Sequence, residues 1–252
     1  MTRYPGFGVL WRLVDHRKLD IGLLARQTGT QESELRAALS GAMPGSMLLR
    51  QLAPALGLQS ADLLALAGIP IPEELAPLDA TAGRLIPQLV DLAVFLPPEG
   101  RSELLRYVRS LPQEKRTVPV RAPRSHEQYQ PSFGAALLHM LANRNLDWMS
   151  SARVLRAVSG LYVSASTIGG VGHGRVKLTR DLLADFAVVL GIPVGDLAAM
   201  AGPVGEVGAQ LGDRVQWQHA AGPDMAELIV ELRRLSSQQI RQVGVVAGAE
   251  LR

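Results

Sequence analysis

The feature that most constrains the fold of this chain is an internal repeat. Three stretches of the first half return in the second half: RKLD (17–20) as RNLD (144–147), LGLQSADLLALAG (56–68) as LGIPVGDLAAMAG (190–202), and the stretch from Leu89 as that from Leu228. A fold that accommodates one copy must also accommodate the other. The sequence therefore predicts two copies of one unit of about 110 to 120 residues, which is a usual domain size.

The pattern within each copy is helical. Aromatic residues make up only 4% of a chain that is 47% apolar, so Leu, Ala and Val must fill the cores, as is typical of packed helices. In the first copy Asp20 can cap a helix that Gly29 ends, and Thr30 can cap the next helix. Continuing in this way predicts five short helices in about sixty residues. The expected fold class is all-α.

The same patterns divide the chain into five parts. These are a first helical bundle at 7–69, a helical hairpin at 70–111, a linker at 112–132, a second bundle at 133–203 and a C-terminal hairpin at 204–252. Each hairpin has an amphipathic face, and two interpretations stay open for it. Either the hairpin packs on its own bundle, or it forms a homodimer or binds a protein partner.

The linker combines prolines with positive charge. It has four prolines, which favour an extended tether, and the region from Arg101 to Arg124 carries seven basic but only two acidic residues. The charge either keeps a flexible tether soluble, or lets Arg121 and Arg124 contact the DNA backbone or minor groove as an arm.

Several classes of function find no support in the sequence. The chain has no cysteine, which excludes disulfides and thiolate zinc sites, and its five histidines lack metal-ligand spacing. The glycines of 169–174 have the spacing of a phosphate loop, but Arg175 and Val176 replace its lysine and hydroxyl, and no βαβ pattern surrounds them. We therefore expect a non-catalytic protein without cofactor or metal.

The chain also lacks the usual marks of membrane insertion and export. The longest apolar stretch is interrupted by Asp196 and prolines and falls short of an unbroken span of about 20 residues. The N-terminus has no small-residue cleavage site. Basic charge is carried almost wholly by arginine, which is typical of a GC-rich genome. These observations predict a cytoplasmic location and no membrane partner.

The first copy contains the pattern of a helix-turn-helix. That motif needs a small residue where its two helices nearly touch, a glycine-containing turn, and buried apolar residues in the second helix. Ala25, Gly29, Leu35 and Ala38 have these properties at the required spacing. On these residues the first copy, over 7–68, resembles the lambda-repressor/Cro (Xre-type) helix-turn-helix family of bacterial transcriptional regulators.

The second copy resembles the recognition helix of the same family. The segment VSASTIGGVGHGR (163–175) matches the family's usual Val-Ser, variable, Ser-Thr-Ile, two variable, Ile, two variable, Gly-Arg. Because its turn carries Leu161 and Tyr162 as well, the second copy has a turn two residues longer than the first. The resemblance implies two tandem lambda-repressor-like bundles joined by the proline-rich linker.

The resemblance also implies roles for individual residues on double-stranded DNA. In the second copy Ser164 would cap the recognition helix. Side chains or backbone expected near base edges are Ala165, Ser166, Thr167, Gly169 and Gly170. Phosphate contacts are expected from His173, Arg175, Lys177 and Arg180. In the first copy the corresponding base-reading candidates are Gln31, Ser33 and Arg36. The implied function is sequence-specific regulation of transcription.

A second interpretation is a protein-interaction scaffold whose helix-turn-helix units no longer bind DNA. Glu32 and Glu34 would repel phosphates, and Ile21 and Ala152 stand where the family often has a phosphate-binding glutamine. The net charge of +3 is modest for a DNA-binding protein. The first copy is therefore expected to bind either DNA or a protein.

Overall fold

The structure is a computed structural model that describes residues 6–203 and 216–250. Within these ranges the chain forms α-helices and short 3₁₀ turns and no strand, which confirms the all-α prediction. No helix in this part is long and apolar enough to cross a membrane. The helices are α1 (Gly6–His16), α2 (Ile21–Thr28), α3 (Glu32–Leu39), α4 (Ser46–Ala55), α5 (Ser60–Ala67), α6 (Ile86–Ala93), α7 (Pro98–Ser110), α8 (Phe133–Asn143), α9 (Trp148–Ser159), α10 (Ala165–Gly172), α11 (Arg180–Leu190), α12 (Val194–Ala201), α13 (Gln216–Leu232) and α14 (Ser237–Glu250).

The helices α1 to α5 correspond in order to the helices α8 to α12. In both runs an aspartate caps the second helix: Asp20 and Asp147 each accept a hydrogen bond from the backbone N–H three residues on, at 2.6 and 2.8 Å. Just before each cap, Lys18 and Asn145 adopt left-handed backbone conformations, with φ of 50° and 60°. Both residues occupy the second position of the repeated tetrapeptides, so the two copies turn in the same unusual way.

The two copies differ between their second and third helices. Gly29 ends α2 after eight residues, whereas α9 has twelve residues before it ends at Gly160. Thr30 does not cap α3 as predicted. Its N–H is used by the end of α2, where it bonds the Ala25 carbonyl, and its hydroxyl lies 2.9 Å from that of Thr28. Gln31 is the N-cap instead, without a side-chain bond.

The two helical hairpins bury their apolar faces inside the chain. Helix α6 packs on α14 and α7 on α13, while α6 and α13 both pack on α9 of the second run. Leu89, Leu104 and Val108 of the first hairpin are buried in a continuous aliphatic core. The first hairpin therefore packs on the second run and on the other hairpin rather than on its own bundle. The part of the second hairpin predicted at 204–215 lies outside the described residues.

The linker is docked on the body of the protein. The guanidinium group of Arg116 donates to the backbone carbonyls of Glu73, Ala76, Pro77 and Leu78, at 2.8 to 3.1 Å. After a 3₁₀ turn at Ser125–Glu127 the linker reaches α8. Residues 112–124 form no helix, and Arg116 fastens this segment to the body of the protein.

Candidate DNA-binding surface

The N-terminal end of α10 presents hydroxyl groups to solvent. Ser164 caps the helix as predicted, because its Oγ accepts the N–H of Thr167 at 3.1 Å. The same Oγ lies 2.7 Å from the hydroxyl of Ser166 and 2.9 Å from that of Thr167. Ser164 and Ser166 are exposed, while Ala165 and Thr167 are partly exposed. These four residues are therefore accessible at one end of the helix.

The glycines of α10 face the protein interior. A Cβ built on Gly169 would lie 2.5 Å from the ring of Trp148, and one on Gly170 would lie 2.7 Å from Cγ2 of Val176. Both glycines are buried. The expectation that Gly169 and Gly170 face base edges is wrong for this packing, because bulky side chains already cover them. These positions have glycine because nothing larger fits.

Five ring side chains surround the C-terminal half of α10. We call His126, Tyr129, His139, Trp148 and His173 the ring cluster. Neighbouring rings meet edge to face, with centroids 4.8 to 6.0 Å apart. The indole N–H of Trp148 donates to the Tyr129 hydroxyl at 2.7 Å. A helix with three glycines is intrinsically weak, by about 1 kcal/mol for each relative to alanine, and this cluster holds it in place.

Burial in the ring cluster affects two ionisable groups. Desolvation raises the pKa of Tyr129 above its ordinary value and lowers the pKa of His139, which favours the neutral form of both side chains. His173, predicted to contact a phosphate, is only partly exposed, and its Nε2 lies 2.9 Å from the backbone oxygen of His126. Its ring is therefore already engaged by the linker.

Three cations follow α10 on the surface. Gly174, with φ of 69°, turns the chain, and Arg175, Lys177 and Arg180 come next. We call these three cations the basic turn. All three are exposed, and none forms an ion pair with any residue in the described ranges. Exposed arginine and lysine groups within six residues of one another provide the donors that phosphate oxygens require.

The corresponding helix of the first copy has a different charge distribution. Gln31 and Ser33 are exposed, as base contact would need. Arg36, however, forms an ion pair with Glu32 one helical turn earlier, at 2.6 Å, and Glu34 is exposed beside them. The only cation expected to read a base in this helix is thus neutralised by its own neighbour.

Sequence reasoning missed the residues that support α10. His126 and Tyr129 belong to the linker, and Trp148 opens α9, so no periodic pattern connects them to 165–172. The available signal was the density of glycines in a helix, which indicates that bulky groups approach closely. Arg121, which was predicted to contact DNA as an arm, already forms an ion pair with Glu127 at 2.6 Å. A phosphate would have to compete with that carboxylate for the guanidinium group.

Other kinds of site find little support in the described residues. No group of three or more His, Asp or Glu side chains there has the geometry to hold a metal ion. A cleft of about 830 Å³ is lined by residues of α5, α11 and α13, and none of the predicted DNA-contacting residues borders it. No protein-family model, no curated protein and no solved structure matches this chain.

Proposed function

We propose that this protein is a sequence-specific, non-catalytic DNA-binding regulator of transcription that acts in a bacterial cytoplasm. The second copy is the main DNA-contacting unit. In this proposal the exposed N-terminal end of α10 enters the major groove of double-stranded DNA, and the basic turn contacts the phosphates beside it. The two runs of five helices are lambda-repressor-like bundles.

The observation that carries the proposal is the free charge of the basic turn. Several arginines elsewhere in the fold are used in structural contacts: Arg116 binds carbonyl groups, Arg144 forms a buried ion pair with Asp62, and Arg109 pairs with two glutamates. By contrast, Arg175, Lys177 and Arg180 have no such role among the described residues. Three unneutralised cations beside a helix-turn-helix favour a polyanionic partner.

One observation favours an alternative function for the chain. Its third helix has an acidic first turn, and Glu32 neutralises Arg36. An acidic helix face repels phosphates but suits a protein partner. A scaffold in which neither copy binds DNA is the alternative function, and it predicts no measurable affinity for any duplex.

The first test is to incubate the purified full-length protein with sheared DNA from its own genome and to sequence the fragments that it retains. The proposal expects a shared motif among the enriched fragments. Retention of all sequences alike would show a non-specific binder, and no retention at physiological salt would favour the scaffold. Either of these results would overturn sequence-specific regulation.

A second test assigns the surface. The triple variant Arg175→Ala, Lys177→Ala, Arg180→Ala should bind every duplex more weakly, and its log-log salt slope should be shallower by about 3, near one unit for each phosphate that the variant no longer binds. Arg241→Ala is the control, because it removes an exposed cation from α14. Equal affinity of the triple variant and the wild type would show that the basic turn does not contact DNA.

A further inference from the structure

The two copies contact each other through reciprocal ion pairs. Arg17 of the first copy binds Asp196 of the second, with its Nη2 2.6 Å from Oδ2. Arg144 of the second copy binds Asp62 of the first, with the same pair of atoms 2.8 Å apart. Arg17 and Arg144 open the repeated tetrapeptides, and Asp62 and Asp196 hold the same place in the repeated thirteen-residue segments. The two ion pairs are thus one interaction made twice.

The supporting hydrogen bonds repeat in the same way. Arg17 also donates to the carbonyl of Leu56, at 2.9 Å, and Arg144 donates to the carbonyl of Leu190, at 2.7 Å. Leu56 and Leu190 are the first residues of the repeated thirteen-residue segments. Each arginine therefore joins the end of the fourth helix in its own copy to the fifth helix of the other copy.

Helix packing follows the same exchange. Helix α1 packs on α12, and α8 packs on α5. Because α8 corresponds to α1 and α5 corresponds to α12, these two contacts are equivalent. In the hairpins α6 packs on α14 and α7 on α13, which is again an exchange of corresponding helices. A head-to-tail arrangement would use a different surface on each copy, so its contacts would not be repeated in reverse. Contacts in which i meets j and j meets i are produced by a two-fold axis.

We infer that a single chain is a preformed pseudo-dimer that binds an inverted DNA repeat with two unlike half-sites. This inference rests on the proposed DNA-binding function. The same axis that relates α1 to α8 relates α3 to α10, since α3 packs on α1 and α10 packs on α8. Two-fold related recognition helices match the local dyad of a duplex, with half-sites about 34 Å apart for one helical turn.

The half-sites must differ because the two recognition helices differ. The start of α3 exposes Gln31 and Ser33 beside two exposed glutamates, whereas the start of α10 exposes Ser164 and Ser166 and, in part, Ala165. They also bind with unequal strength, because Arg36 is neutralised by Glu32 while the basic turn is free of ion pairs in the described structure. The second copy binds the strong half-site, and the first copy binds the weak half-site beside it.

The test uses duplexes built from the motif that genomic selection recovers, with its two halves placed as an inverted repeat, as a direct repeat, or as the strong half alone. We expect one 27.0 kDa chain per inverted duplex by analytical ultracentrifugation. Affinity for the inverted repeat should exceed that for the other two duplexes by about tenfold or more. Two chains per inverted duplex, or equal affinity for inverted and direct repeats, would overturn the inference alone. Binding to no duplex would overturn the proposed function as well.

Two variants assign each half-site to its copy. Ser166→Ala should relax base preference in the strong half-site only, and Gln31→Ala should do so in the weak half-site only, as read by selection from half-site libraries. Both residues are exposed, so neither change disturbs the core. If both variants relax the same half-site, or if Gln31→Ala changes neither, the first copy does not read the second half-site and the inference fails.

Discussion

The two equivalent ion pairs that join the copies differ in burial, and this difference predicts unequal costs of breaking them. Arg144 and Asp62 have side chains only 2% and 1% exposed. Besides the carboxylate, the guanidinium of Arg144 bonds the carbonyls of Met140 and Leu190. Asp62→Ala leaves a fully buried cation without its counter-charge, and the loss in the free energy of unfolding should be about 3 to 5 kcal/mol.

The matched change in the other pair should cost less. The side chain of Arg17 is 25% exposed, so Asp196→Ala lets its guanidinium group reach water. We expect a loss of about 1 to 2 kcal/mol, between the values for exposed and buried ion pairs. Replacing both members of the buried pair, as Asp62→Ala with Arg144→Met, removes the unpaired charge and should recover most of the stability that Asp62→Ala removes.

The measurement is equilibrium unfolding in urea, followed by far-UV circular dichroism and by tryptophan fluorescence. Coincident transitions in the two signals would justify a single free energy for the whole chain. The continuous core that joins both copies makes such coincidence the expected behaviour. Equal losses for Asp62→Ala and Asp196→Ala would refute the argument from burial. A double variant no more stable than Asp62→Ala would refute the argument from the unpaired charge.

Two further predictions concern a packed glycine and a hydrogen-bonded carboxylate. Gly169→Ala should destabilise the protein by about 1 to 3 kcal/mol through its clash with Trp148, whereas Gly244→Ala in α14, with open space around it, should stabilise by about 0.5 to 1 kcal/mol in the same urea assay. A gain in both variants would contradict the packing of α10. Burial opposes ionisation of Asp79, but hydrogen bonds, first among them that from the Ser237 hydroxyl, lower its pKa to about 2. Since its unfolded pKa is about 4, we expect this carboxylate to contribute about 1 kcal/mol above pH 4, after allowance for solvent screening, and to lose that contribution as the pH falls towards 2. Acid unfolding of Asp79→Asn at the same pH as the wild type would show no such contribution.

The sequence predicted local structure well because local structure follows from local chemistry. Asp20 caps α2 and Gly29 ends it as expected, since a cap needs only its own residue and the next turn. The prediction that Thr30 caps α3 is wrong, because α3 begins one residue later with Gln31 as its N-cap and the Thr30 hydroxyl lies beside that of Thr28. The burial of Gly169 could not be predicted in the same way, since it depends on Trp148 from another helix. The reciprocal ion pairs also needed three dimensions, although their residues lay at matching places in the repeat.

In the proposed DNA-binding function, the packing around the two copies gives a physical reason for the second copy to bind DNA more strongly than the first. Helix α9 is covered by α6 and α13, and Ser150 on it is buried, donating to the carbonyl of Gly83 at 3.3 Å. Leu23 holds the same place after the helix cap in α2, yet it is 47% exposed, because neither hairpin packs there to any comparable extent. Helix α10 is thus fixed between a covered helix and the ring cluster. A recognition helix that is already held in place loses less conformational entropy on binding. With equal contacts to DNA, the second copy would therefore bind more tightly than the first, and the free cations of its basic turn add to that difference.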